Sequence, residues 1–153
     1  MHKLSKMFAD REVSKTYAAI VAPCPKVIAA EIRTQIGRHP VNRKKMAVVR
    51  SGGKDAYTRF TTLKRGKIGN VTAALLQVRI MTGRTHQIRV HMSYFGSPVI
   101  GDGTYGGNGR IPAPRQMLHA WKITFPHPFT KEELSFEAPF PADFQEYVDK
   151  IQE

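Results

Sequence analysis

Residues 83–91, which read GRTHQIRVH, constrain the fold more than any other stretch of this chain. Thr85 is a good N-cap residue for a helix. Ile88, Met92 and Phe95 then recur at i, i+4 and i+7, the spacing that places apolar side chains on one helical face. A glycine turn that runs directly into an amphipathic helix is therefore predicted here, and Gly96 is predicted to end the helix.

The first turn of this predicted helix is rich in cations and polar donors. Backbone N–H groups at a helix start lack intrahelical partners, and the helix dipole favours negative charge there. The sequence therefore predicts a site for an anion or an RNA backbone, formed by Arg84, Thr85, His86 and Gln87. A surface helix with scattered charges is equally compatible with the pattern alone.

Arg89 differs from these residues because it borders the apolar stripe. It follows Ile88 directly and lies three residues before Met92, so its guanidinium is expected to be partly desolvated. A desolvated arginine needs a carboxylate or phosphate partner.

The charge of the chain points to a polyanionic partner. The formal net charge is +12 over 153 residues, and part of the excess lies in the stretch that contains Arg38, Arg43, Lys44 and Lys45. Nucleic acid is the leading partner, with these four residues predicted to contact phosphates. A merely solvated charged loop is the alternative. No apolar run approaches the roughly 20 residues that a membrane span needs, and a single cysteine, Cys24, fits a reducing cytosol.

The order of predicted elements indicates an α+β fold with a mainly antiparallel sheet and flanking helices, in one domain. Strands are predicted at residues 16–21, 56–63, 71–80, 118–125 and 133–137, and helices near residues 1–10 and from residue 141 onward. Residues 65–70 are predicted to turn one hairpin. Residues 27–36 show a weak helical pattern, with an irregular basic loop as the alternative, and residues 101–115 are predicted to form a mobile surface loop.

Other chemistries have little support. Six histidines and one cysteine suggest zinc, but His86 and His91 are five residues apart, not four, and Cys24 has no partner motif, so no metal site is predicted. No GxSxG nucleophile elbow occurs. His119 is interpreted as a structural, hydrogen-bonded histidine.

Six ordered blocks resemble the RluA class of RNA pseudouridine synthases. They are residues 15–21 (KTYAAIV), 36–48 (IGRHPVNRKKMAV), 53–60 (GKDAYTRF), 82–107 (TGRTHQIRVHMSYFGSPVIGDGTYGG), 115–128 (RQMLHAWKITFPHP) and 137–144 (EAPFPADF). The resemblance implies a mixed, largely antiparallel sheet around a cleft, and cofactor-free isomerisation of a flipped-out uridine in ribosomal or transfer RNA. An aspartate attacks the nucleotide, and the base detaches, turns over and is rejoined to the ribose through carbon.

The resemblance also implies roles for two residues. Tyr17 corresponds to the family's active-site tyrosine, which stacks on the flipped base and is a candidate for moving the final proton. From its apolar strand alone, Tyr17 would be a core residue. Arg89 corresponds to the arginine that pairs with the catalytic aspartate.

The sequence departs from the family pattern at the nucleophile. The family aspartate lies in a His-Arg-Leu-Asp block that these 153 residues do not contain, and Asp10, Asp55 and Asp102 do not resemble it. The chain therefore resembles the C-terminal part of a catalytic domain, with the N-terminal part missing. We expect Arg89 to have no acidic partner within the chain, and catalysis to require a complementary fragment. A non-catalytic RNA-binding paralogue or remnant is the alternative.

Overall fold

The computed structural model describes residues 13–106, 109 and 111–153. Within them lie two helices and a sheet of 7 strands. The strands are β1 (Ser14–Val21), β2 (Ala29–Arg38), β3 (Met46–Val49), β4 (Lys54–Ile68), β5 (Val71–Ile80), β6 (Leu118–Pro126) and β7 (Glu133–Glu137). The helices are α1 (Gln87–Phe95) and α2 (Ala142–Lys150). The helix predicted near residues 1–10 lies outside the described residues.

The sheet confirms the predicted α+β class. Its strand order is β3-β2-β4-β5-β1-β6-β7, and every pair of neighbouring strands among the described residues is antiparallel. The predicted pairing of β4 with β5 is confirmed, although β4 continues to Ile68 and the turn is only Gly69 and Asn70. Gly69 has a φ of 63°, a conformation that glycine adopts without steric cost.

The two helices cover opposite faces of the sheet. On one face, Ala18 and Ile20 of β1 pack in the same cluster as Phe144, Val148 and Ile151, which α2 and the residue after it supply. On the other face, a second cluster joins β1 and β5 to Ile88 and Met92 of α1. Because a strand points successive side chains to opposite faces, residues 18–21 of β1 are buried on both faces of the sheet, in agreement with the mostly buried strand predicted at residues 16–21.

The prediction for residues 27–36 was wrong, since this segment contains most of β2. Ile32 and Ile36 are buried, while Glu31 and Arg33 are exposed. A spacing of four residues places two side chains on the same face of both a helix and a strand. The spacing of the isoleucines was therefore ambiguous, and the pairing with β4 decides it.

Residues 101–115 also differ from the prediction of a loop confined to the surface. Asp102, Tyr105 and Ile111 are all buried. Gly101, at a φ of 80°, lies so close to the Arg115 carbonyl oxygen that a Cβ atom would clash with it. The next residue, Asp102, pairs with Arg89 of α1. No helix in the described part of the chain is long and apolar enough to cross a membrane.

Candidate active site and RNA interface

The start of α1 is built differently from the prediction. His86, not Thr85, is the N-cap residue; it has a φ of 55° and makes no side-chain capping bond. Thr85 is exposed. The backbone N–H of Arg84 donates instead to the side-chain oxygen of Gln87, at 3.0 Å. The N-cap role predicted for Thr85 is therefore wrong, and the side chain of Gln87 joins the helix start to the turn that precedes it.

Gln87 was predicted to contact RNA, and the structure contradicts this. Its side chain is 3% exposed. The amide oxygen accepts from Arg84 N–H and the Thr82 hydroxyl, and the amide nitrogen donates to the Tyr57 carbonyl and the Thr58 hydroxyl. These bonds use the full capacity of a glutamine amide. Gln87 therefore fastens the helix start to β4 and has no donor left for RNA.

The same hydrogen-bond chain continues to His91, which the sequence analysis considered only as a metal ligand. Nδ1 of His91 lies 2.6 Å from the Thr58 hydroxyl, and Nε2 lies 2.8 Å from the Thr34 hydroxyl. The His91 side chain is 0% exposed. Burial lowers its pKa from 6.5 to about 4, so the ring is neutral at neutral pH. His91 thus fixes α1 to β2 and β4.

Arg89 has an acidic partner within the chain, which contradicts the expectation that it would have none. Its Nε donates to Asp102 Oδ2 at 2.8 Å and its Nη2 donates to Oδ1 at 3.0 Å. The side chains are 14% and 1% exposed, respectively. The hydrogen bonds to Asp102 raise the pKa of Arg89 above its ordinary value, and burial opposes this. The predicted desolvation of Arg89 is correct, and the prediction that it has no acidic partner within the chain is wrong.

Asp102 is held as firmly as the arginine. Its Oδ1 also accepts from the backbone N–H groups of Thr104, at 3.2 Å, and Tyr105, at 3.3 Å. A local signal for this turn existed, because aspartate often accepts from N–H groups two residues further along. The partnership with Arg89 has no such local signal, since the two residues lie on different elements.

Within the described residues, one edge of the Arg89 guanidinium has no hydrogen-bond partner. Asp102 occupies Nε and Nη2, and no described residue accepts a hydrogen bond from Nη1. The guanidinium carbon of Arg89 lies 5.0 Å from the centre of the Tyr105 ring, which covers part of its face. An arginine fork carries five N–H donors in one plane. Arg89 is therefore positioned by one carboxylate and retains donors for a second anionic group.

Tyr105 links this ion pair to two other sequence-predicted residues. Its hydroxyl accepts from Met46 N–H at 3.0 Å and lies 2.8 Å from Nδ1 of His86. Burial lowers the pKa of His86, and the nearby Arg89 charge lowers it further, while Asp102 opposes both. The Nζ atom of Lys45 lies 5.6 Å from the centre of the Tyr105 ring. Sequence reasoning missed Tyr105, although it brings His86, Arg89 and Lys45 together.

The predicted basic loop is an ordered structure between β2 and β3. His39 N–H donates to the Lys45 carbonyl, and Lys45 N–H donates to the Asn42 carbonyl. Arg38 Nη1 donates to the Arg43 carbonyl at 3.0 Å. The structure therefore places Arg38 at the end of β2 and Arg43, Lys44 and Lys45 in the loop that follows it. Of these four residues, Lys45 is the one whose charge lies near the Tyr105 ring.

Arg84 and Tyr17 occupy separate positions. Nε of Arg84 donates to the Asp55 carbonyl at 2.7 Å, which leaves the other donors of its fork available. Tyr17 lies on β1 opposite Val78 and is partly buried against the cluster that contains Ile88. No hydrogen bond joins Tyr17 to Arg89 in the described part of the chain. Tyr17 therefore packs beneath the helix that carries Arg89.

The sequence profile of the family described as RNA pseudouridylate synthase matches residues 1–94, and the chain belongs to this family. This confirms the resemblance drawn from the sequence blocks. A solved structure of human RNA Pseudouridylate Synthase Domain Containing 1 has a TM-score of 0.79 and 31% sequence identity, over 92% of this chain and 60% of that one.

Curated bacterial relatives agree. An uncharacterised RNA pseudouridine synthase of Chlorobaculum parvum is 39% identical over 99% of this chain and 51% of its own length. The ribosomal large subunit pseudouridine synthase D of Pseudomonas aeruginosa is 42% identical over 93% of this chain and 47% of its own length. The chain therefore spans about half the length of the curated relatives that it matches.

Proposed function

We propose that this chain forms part of an RNA pseudouridine synthase that isomerises uridine in ribosomal or transfer RNA, without a cofactor and in the cytoplasm. The observation that carries the proposal is membership of the family, since sequence profile and fold agree. The name of the Pseudomonas aeruginosa relative favours RNA of the large ribosomal subunit. The basic loop and Arg84 contact phosphates, while Thr85 and His86 lie beside them at the start of α1.

The catalytic carboxylate comes from a segment outside these 153 residues. Of the four aspartates that the structure describes, Asp102 and Asp143 are each held by two nitrogens of an arginine, and Asp149 accepts from Gln145. Asp55 is exposed on β4. None of them is an unpaired carboxylate beside Arg89. A polypeptide segment with the family's His-Arg-Leu-Asp block supplies the nucleophile.

Arg89 receives that nucleophile through its unused edge. Because Asp102 holds Nε and Nη2, the Nη1 edge is preorganised to donate to an incoming carboxylate without a search through rotamers. Asp102 is a positioning residue in this scheme. Tyr17 packs from β1 against the flipped base, on the face of the sheet that α1 covers.

The proposal is tested by tritium release from RNA labelled on the uridine carbon that bonds to ribose in the product. The chain is assayed alone and with a polypeptide that carries the His-Arg-Leu-Asp block, taken from the part of the Pseudomonas aeruginosa relative that this chain does not match. We expect release only from the mixture. RNA binding with no release in either case would favour the non-catalytic paralogue, and release by the chain alone would contradict an external nucleophile.

RNA affinity should depend steeply on salt. Four phosphate contacts from the basic loop predict that affinity falls about 100-fold between roughly 50 and 200 mM salt, because each contact releases a condensed counterion. Fluorescence anisotropy with labelled ribosomal RNA fragments measures this slope. Replacing Arg43 and Lys44 together by alanine should reduce the slope of log affinity against log salt concentration by the amount that corresponds to about two phosphate contacts. An affinity that is the same at both salt concentrations would show that these cations do not bind phosphate.

A further inference from the structure

A cleft of about 550 Å³ opens beside the Tyr105 ring, between the basic loop and α1. We call it the Lys45–Tyr94 cleft. Its walls include His39 and Lys45 of the basic loop, Tyr94 of α1, and Thr104 and Tyr105 of the following segment. Its volume lies within the roughly 300–1,000 Å³ typical of small-molecule sites.

The charge of this cleft distinguishes it from three other cavities in the described part of the chain. None of its described lining residues is acidic, and Asp102, which precedes the lining residue Gly103, is buried and ion-paired with Arg89. Three further cavities each include a carboxylate, from Glu31, Glu137 or Asp55. The Lys45–Tyr94 cleft therefore suits an anionic ligand.

The donors of the cleft are held in place. Nδ1 of His39 accepts from the N–H groups of Val41, at 3.1 Å, and Asn42, at 3.0 Å. A neutral imidazole whose Nδ1 accepts must carry its proton on Nε2. His39 thus has an N–H donor at Nε2, and Lys45 has an ammonium group near Tyr105. The pair provides a neutral and a charged donor for phosphate oxygens.

Tyr94 adds a surface for a nucleobase. Its side chain is 62% exposed, although five of the nine residues of α1 are buried. An exposed aromatic ring beside cations is the arrangement that binds single-stranded nucleic acid, with the base on the ring and the phosphate on the cation.

We infer that the Lys45–Tyr94 cleft binds one nucleotide of single-stranded RNA that flanks the target uridine. We place this nucleotide next to the target uridine because the Tyr105 ring both lines the cleft and covers the guanidinium of Arg89. The occupant therefore lies next to the reacting site. This inference rests on the proposed function for the identity of its ligand.

The test is the affinity of the chain for a fluorescent single-stranded oligouridylate, measured by anisotropy. Tyr94→Ala should weaken binding about tenfold, whereas Tyr94→Phe, which keeps the ring face, should bind within twofold of wild type. Lys45→Ala should weaken binding and reduce the salt slope by about one contact. Lys26→Ala removes the same charge from an exposed residue outside the cleft and should have a much smaller effect.

Equal affinity of Tyr94→Ala and wild type, or equal losses from Lys45→Ala and Lys26→Ala, would overturn the inference. Cross-linking gives a second readout, since 4-thiouridine in the bound oligonucleotide should attach to a peptide that contains Tyr94. Because neither readout requires turnover, the two proposals can fail separately. If the reconstituted enzyme releases tritium but Tyr94→Ala binds the oligouridylate as tightly as wild type, only the inference about the cleft is rejected. If Tyr94→Ala weakens binding but the reconstituted enzyme releases no tritium, only the proposed synthase function is rejected.

Discussion

Asp102→Asn is expected to lower the free energy of unfolding by about 3 kcal/mol, because it leaves the Arg89 charge buried without a counter-ion. The substitution keeps the size of the side chain and one oxygen for the N–H groups of Thr104 and Tyr105. It places an amide N–H where Arg89 needs an acceptor. Urea unfolding followed by circular dichroism measures the change as a lower midpoint at an unchanged slope.

The chain contains a matched control for this experiment. Arg115 donates from Nε and Nη2 to Asp143 at 2.7 and 3.0 Å, nearly the same geometry as the Arg89 pair. The side chains of Arg115 and Asp143 are 39% and 41% exposed, so solvent screens their interaction. Asp143→Asn should therefore destabilise the chain much less than Asp102→Asn. Equal decreases in the free energy of unfolding for the two variants would show that burial does not increase the contribution of the Arg89–Asp102 pair to stability.

Acid should destabilise the fold through His91. The pKa of this histidine is 6.5 in the unfolded chain and about 4 in the folded protein, so the unfolded state binds the proton more tightly. The stabilising contribution is complete above pH 6.5 and is lost as the pH falls toward 4. A tenfold difference in proton affinity is worth about 1.4 kcal/mol, so the full loss is about 3 kcal/mol.

Two measurements isolate this effect from other titrating groups. The ring proton resonances of His91, followed by NMR, should titrate with a midpoint near 4. His91→Gln removes the titrating group. The free energy of unfolding of this variant should therefore vary less between pH 6.5 and 4 than that of the wild-type chain. A resonance midpoint at or above 6.5 would contradict the neutral, hydrogen-bonded ring.

Sequence patterns predicted the elements whose burial follows a simple period. The buried end of β1, residues 18–21, and the helical stripe of Phe144, Val148 and Ile151 each have a local cause, and the structure confirms both. The pattern of β2 did not decide its structure, because the spacing of Ile32 and Ile36 fits two periods. The pairing of β2 with β4 is a contact between distant parts of the chain, and no local pattern encodes it.

The site was predictable only in part, for the same reason. The border position of Arg89 on α1 correctly indicated a desolvated guanidinium. Its partner was not predictable, since Asp102 lies in a segment without regular periodicity, 13 residues further along the chain. Gln87 was misjudged because β4, distant in sequence, supplies two of the acceptors for its amide. The sequence predicted which side of α1 Arg89 occupies, but it did not predict which residues of other elements Arg89 and Gln87 contact.

The most direct test of an Arg89-centred pseudouridine synthase site is the tritium-release rate of the reconstituted pair when Arg89→Lys replaces the wild-type chain. Lysine keeps the charge but lacks the planar fork that binds Asp102 and a second carboxylate at once. We predict that kcat falls about 100-fold, with RNA affinity within threefold of wild type and the chain folded at the assay temperature. Turnover at the wild-type rate by the folded Arg89→Lys chain would contradict the central role of this arginine.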